Sequence, residues 1–210
     1  LLAIKRCFGA KIVVIMKPSL PLRFFDLCVI PKHDGVKSGS NVFITNTPLV
    51  SFNLNKKKKE NMALFLIGGP SKHYYWDSKR VLEQIKNISK QFKFKKLLIT
   101  TSRRTPIEFI NEFNKSKIKN IKLYEHTKIM NDWLDKNIIK VKNIWVTNDS
   151  YSMLIEAIAS GAYTDILELK MKKKSKLSGE INTIKKKIRN KITIQNEAER
   201  VAKFIQKIWF

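Results

Sequence analysis

The sequence predicts an α/β protein: a Rossmann-like parallel sheet with flanking helices, preceded by part of a first α/β domain. Three observations carry this. From residue 62 onward, short apolar runs alternate with helix-length amphipathic stretches, the pattern of βαβ units whose right-handed crossovers build a parallel sheet. Three polar motifs follow directly on strand-like runs, at the carboxyl edge where such sheets bind ligands. Residues 1–55 differ, with strand-like runs separated by prolines and little helix, less than a full Rossmann-like half requires.

In residues 1–55, strands are expected at Lys11–Ile15, Leu27–Ile30 and Asn41–Thr45, with Pro18, Pro21 and Pro31 between them. This part reads as the remnant of an N-terminal domain, and Leu at position 1 fits a fragment. Asn53–Glu60 is charged and lacks apolar periodicity, so residues 56–61 read as a linker. The second domain, residues 62–195, opens with a strand at Met62–Ile67. A helix follows over Ser78–Phe92, with Val81, Leu82, Ile85 and Ile88 on one face. Next come a strand at Lys96–Thr101, a helix at Pro106–Phe113, a strand at Asn120–Tyr124 and a helix over Thr127–Leu134. A strand at Lys142–Thr147, a helix at Ser150–Ser160 and a strand at Tyr163–Leu169 complete the alternation. Glu180–Arg189 presents Ile181, Ile184 and Ile188 at helical spacing. Residues 196–210 hold a last helix, Asn196–Trp209, with Val201, Phe204, Ile205 and Ile208 on one face.

Composition narrows the function classes. The 210 residues are 43% hydrophobic, ordinary for a globular protein. No apolar run approaches the roughly 18–20 residues of a membrane-spanning helix. The formal charge of +25 looks like a nucleic-acid signal, but only seven of the 42 basic residues are Arg. Lysine excess is what an AT-rich genome encodes whatever the function, whereas phosphate recognition favours the arginine fork. Basic runs at Lys56–Lys59, Lys172–Lys174 and Lys185–Lys187 lack interleaved aromatics for base stacking. They read first as solvated faces, next as contacts to an anionic membrane surface, and last as a nucleic-acid interface. The chain reads as soluble or peripherally bound to a membrane. Cys7 and Cys28 have neither CxxC spacing nor disulfide density and read as small core residues in a reducing compartment. His33, His73 and His126 are scattered without ligand spacing, so neither metal nor cofactor is expected.

The stretch Trp145–Ser160 is the richest in chemistry. After the strand, Asn148, Asp149 and Ser150 can cap a helix ending at Gly161. Asp149, Ser152, Glu156 and Ser160 fall on one stripe of an otherwise apolar helix, and a helix that apolar is normally buried. A phosphate near Ser150 and Ser152 would meet free N–H groups and the positive dipole end, with Glu156 deeper to accept hydroxyl hydrogens. Glu156 lies too far from the cap to close a capping box. The alternative is a solvated stripe on a half-exposed helix.

Gly68-Gly69-Pro70-Ser71 can let a ligand or a backbone approach closely and can hold an oxyanion on exposed N–H groups; a tight structural turn is the alternative. It is not a Walker A loop. In Ser102-Arg103-Arg104-Thr105-Pro106, Thr105 reads as an N-cap with Pro106 in the first turn and Glu108 closing a capping box. Two of seven Arg at a strand end, before a helix, point to diphosphate binding. The alternative is an ion pair with an acid such as Glu108. His33-Asp34, after a strand, offers a general base beside a carboxylate, or an ordinary turn.

Together, Phe25-Asp26-Leu27, Pro31-Lys32-His33-Asp34, Gly68-Gly69-Pro70-Ser71, Thr101 to Pro106 and Thr147 to Ala157 resemble the mitochondrial-fission "elongated mitochondria" family. It comprises plant proteins and bacterial relatives regarded as glycosyltransferases of the two-Rossmann-domain, GT-B type. The motifs match in order over residues 23–161. The family's usual Gly-Lys-Pro-Val is replaced by Gly161-Ala162-Tyr163-Thr164. The resemblance implies a C-terminal GT-B domain that binds a nucleotide sugar. Arg103 or Arg104 would neutralise its diphosphate, with Gly68, Gly69, Ser71, Ser102, Thr105, Asp149, Ser150 and Ser152 around it, and Glu156 would hold the ribose. His33 and Asp34 would be catalytic, the co-substrate an envelope glycan or lipid-linked acceptor. A non-catalytic, membrane-associated interaction protein is the competing reading.

Overall fold

The structure, a computed structural model, describes residues 7–50, 59–116, 118, 120–130, 132–174, 176–189 and 196–210. Residues 56–58 of the expected linker lie outside the described residues; Glu60 and Asn61 are already in a strand. The chain divides into two compact units, Leu1–Ser51 with Gln195–Phe210, and Phe52–Ile194.

The first unit holds three parallel strands, β1 (Val13–Ile15), β2 (Leu27–Pro31) and β3 (Val42–Thr45), in that order. All five residues of β2 are buried, as expected of a central strand without polar alternation. The C-terminal segment completes this unit. Its helix Glu197–Trp209 sets Val201 against Leu27 and Val29, with Phe43, Leu49, Phe204, Ile205 and Trp209 packed around them. The side chain of Asn196 accepts the N–H of Glu199, capping that helix. Cys28 is buried, but Cys7 is exposed and so is not a core residue.

The second unit is a five-stranded, all-parallel sheet of β4 (Glu60–Ile67), β5 (Lys96–Thr101), β6 (Ile121–Tyr124), β7 (Val141–Thr147) and β8 (Tyr163–Leu167). Helices α1 (Ser78–Gln91), α2 (Ile107–Lys115), α3 (Trp133–Ile138) and α4 (Tyr151–Ala159) lie between successive strands, followed by α5 (Lys176–Arg189). Asp77 caps α1 by accepting the N–H of Arg80, and Val81, Leu82 and Ile85 form its buried face. The strand order is β6-β5-β4-β7-β8. The chain therefore builds outward from β4 in one direction and then returns to the other side of β4 through β7. The order therefore reverses between β4 and β7, and in open α/β sheets ligands bind at the carboxyl ends of the strands at such a reversal.

One helix differs from its expected span. Residues 126–129 form turns and bends rather than the start of a Thr127–Leu134 helix, and α3 begins at Trp133. The N–H of His126 donates to Thr101 Oγ1 (2.9 Å), and the His126 ring is 3.3 Å from the same oxygen. These bonds, across 25 residues of chain, tie the segment after β6 to the end of β5. Trp133 starts the helix by packing on Tyr124, ring centroids 4.4 Å apart. Gly161, at φ 72°, ends α4 in the left-handed region that glycine adopts without Cβ strain, and β8 follows at Tyr163.

Candidate functional site

The loops after β5, β4 and β7, three neighbouring strands, bring Ser102–Thr105, Gly68–Ser71 and Asn148–Ser150 to one edge of the sheet. They are locked together by short contacts. Gly68 N–H donates to Thr147 Oγ1 (2.8 Å), and Gly69 N–H to Asp149 Oδ2 (3.1 Å). A Cβ on Gly68 would lie 2.3 Å from Asp149 Oδ2, and one on Gly69 would lie 2.0 Å from the Arg104 carbonyl oxygen. What approaches these glycines is therefore the chain's own Asp149 and Arg104.

Thr105 does not cap α2. The helix starts at Ile107 with Pro106 in the cap position and no side-chain cap bond, so the capping box with Glu108 is absent. Thr105 Oγ1 instead donates to the carbonyls of Ile67 (2.9 Å) and Gly68 (2.6 Å) and accepts the Ser102 N–H (2.9 Å). The hydroxyl thus serves carbonyls at the end of β4 and not the N-terminus of α2. Likewise Ser150 takes the cap position of α4 without a side-chain cap bond, and Asp149 is turned into the glycine loop.

The Arg104 guanidinium joins the loops. Its Nη2 pairs with Asp149 Oδ2 at 2.8 Å, while Nη1 donates to the carbonyls of Gly69 and Pro70 (3.4 and 3.3 Å). The ion-pair partner is thus Asp149, not Glu108. The Asp149 side chain is 0% exposed and that of Arg104 is 43% exposed. Arg103 is exposed, with no ion pair among the described residues. Ser71 Oγ accepts the N–H groups of His73 and Tyr74 (3.2 and 3.1 Å). Burial, then the charge of Asp149, pushes the Tyr74 hydroxyl pKa up.

Lys72, which the sequence did not single out, and Lys172, marked there only as part of the basic run Lys172–Lys174, meet Arg104 here. With Pro70 and Ser71 they line an open depression of about 590 Å³. Lys172 arrives from beyond β8 because residues 73–75 and 170–172 form a short antiparallel pairing, Tyr75 N–H to Lys170 O and Lys172 N–H to His73 O, both 2.8 Å. Its Nζ donates to the Ser71 carbonyl (3.0 Å). Nothing in a lysine-rich run marks this one, since its partner lies 101 residues away.

Farther along α4, Ser152 is exposed and Glu156 half-buried. Burial raises the Glu156 pKa, and Asp135 on α3 raises it further. Ser160 is buried and its hydroxyl donates to Ala157 O (2.6 Å), so it closes the helix end. In the first unit, His33 and Asp34 form a short 3-10 turn after β2, Nε2 3.5 Å from Oδ1. Among the described residues no group of three or more His, Cys, Asp or Glu could hold a metal ion, and no helix is long and apolar enough to cross a membrane.

The family model described as mitochondrial fission ELM1 matches residues 1–207 of the chain. No curated protein matches it.

Proposed function

Because the chain belongs to the mitochondrial fission ELM1 family, we propose that it is a glycosyltransferase moving a sugar from a nucleotide-sugar donor to an envelope glycan or lipid-linked acceptor. The observation that carries this is the reversal of strand order at β4 and β7, with the Arg104 and lysine depression at its carboxyl edge. Open α/β sheets bind nucleotides at that point. The donor diphosphate lies by Ser71, Arg104, Lys72 and Lys172, near the N-terminus of α4. Glu156, six residues beyond Ser150 and so about 9 Å along the helix, takes the ribose hydroxyls. Arg104, the lysines and the helix dipole stabilise the leaving diphosphate. His33, beside Asp34, is the general base for the acceptor hydroxyl. The enzyme works in the cytoplasm, peripheral to the inner membrane.

Calorimetric titration of the folded protein with UDP-, GDP- and CMP-sugars tests this. Binding of one of them is the expected result; a folded protein that binds none of them overturns the enzyme.

A second reading, a non-catalytic interaction protein at an anionic membrane, is favoured by the exposure of Lys172, Lys173 and Lys174. Because Lys172 also lines the depression, Lys173 and Lys174 make the separating test. If the protein is a membrane adaptor, reversing their charge abolishes vesicle binding and cellular function while Glu156→Ala leaves both intact. If it is an enzyme, Glu156→Ala does the greater damage.

A further inference from the structure

Asp149 carries the most deeply buried charge at the strand-order reversal. Its side chain is 0% exposed, and its Oδ1 has no hydrogen-bond partner among the described residues. Burying a carboxylate is costly unless paired, and an apolar residue of similar size often serves stability as well. Room for the carboxylate exists only because residue 68 has no side chain. Across from it, Arg104 is held at three points, by Asp149 and by the carbonyls of Gly69 and Pro70. A guanidinium already held this way loses little conformational freedom on meeting a ligand. Its exposed part faces the depression that also contains Lys72 and Lys172.

We infer that Asp149 is a positioning residue of an anion site: its carboxylate fixes the Arg104 guanidinium toward the depression, where Arg104, Lys72 and Lys172 take the phosphates of a diphosphate ligand. This rests on the donor reading for its ligand class, and not on glycosyl transfer. The sign of one effect separates positioning from plain charge. Removing a nearby negative charge by itself tightens anion binding. Removing the group that holds the guanidinium loosens it.

Inorganic pyrophosphate is titrated calorimetrically into the full chain, into Asp149→Asn and Arg104→Lys, and into the double variant. Folded Asp149→Asn binds about tenfold more weakly, as befits loss of a charge-assisted hydrogen bond. Arg104→Lys loses a similar factor, and the double variant is no worse than Arg104→Lys by more than about twofold. Equal or tighter binding by folded Asp149→Asn overturns the assignment, as do additive losses or a parent that ignores millimolar pyrophosphate. Should Asp149→Asn fail to fold, Arg104→Lys decides: parent-like binding leaves Asp149 nothing to position, and a tenfold loss supports the role. Nucleotide sugars titrated into the same proteins keep the two proposals apart. A pyrophosphate cycle as expected, without nucleotide-sugar binding, removes the glycosyltransferase and leaves the role of Asp149 standing.

Discussion

Thr105 ties the glycine loop to the arginine loop through one hydroxyl that reaches Ile67, Gly68 and Ser102. Thr105→Val keeps the shape and removes that hydroxyl, leaving two strand-end carbonyls without it. Urea unfolding should register a loss of about 1–3 kcal/mol, and nucleotide affinity should fall as well, because the same bonds frame Gly68 and Gly69. Arg103 is exposed and absent from the depression's lining, so Arg103→Lys should bind nucleotide like the parent. Arg104→Lys should lose on the order of 1–3 kcal/mol of donor binding, because an ammonium lacks the fork. Glu156 gives a prediction in pH. Its folded pKa is raised by burial, then by Asp135, above the ordinary 4.5. The folded state therefore holds this proton more tightly than the unfolded chain does. The ionised carboxylate costs stability in full above the folded pKa, and the cost fades as pH falls through that value toward 4.5. Glu156→Gln should raise the melting temperature at neutral pH, match the parent in acid, and weaken nucleotide-sugar binding. Equal melting curves at neutral pH would remove the burial argument.

Two helices show what their ends contribute. α4 stops at Gly161, whose φ of 72° a residue without Cβ adopts at least cost. Gly161→Ala, in otherwise open space, should cost about 1 kcal/mol. The C-terminal helix Glu197–Trp209 is started by Asn196, so Asn196→Ala should cost about 1 kcal/mol as well. Its effect should reach β2, since Val201 on that helix covers Leu27 and Val29. Hydrogen exchange checks this: amides of Leu27–Pro31 should lose protection along with the helix, while those of β4 keep theirs. Unchanged β2 protection would mean that the helix does not support the strand.

Across the whole molecule, the net charge of +25 and pI of about 10.1 are its most conspicuous numbers. They express lysine solvation more than recognition: the arginine with a built environment, Arg104, faces a buried carboxylate and two backbone carbonyls. Binding to duplex DNA at physiological salt should be micromolar or weaker, because loose phosphate contacts are lost steeply with salt. Fluorescence anisotropy over a salt series measures it, and tight, salt-resistant binding would assign the lysines a recognition role.

Apolar periodicity by itself determined the α/β class, the alternation of strand and helix from residue 62, and the carboxyl-edge position of all three polar loops, because burial acts on each element locally. The sequence could not show the order β6-β5-β4-β7-β8, which brings Gly69 beside Asp149 across 80 residues of chain. Nor could it show that Thr105 would serve strand-end carbonyls, or that His126 would bond to Thr101; in both, the partner lies far off in sequence. Lys172 was indistinguishable from its neighbours until the pairing of residues 73–75 with 170–172 set it against Ser71. Val201 likewise carries an amphipathic signal in the sequence, yet only packing decides that it completes the core of the N-terminal strands. A periodic pattern specifies which face is buried; the surface that buries it depends on contacts between residues far apart in sequence, and those were decided by the tertiary structure.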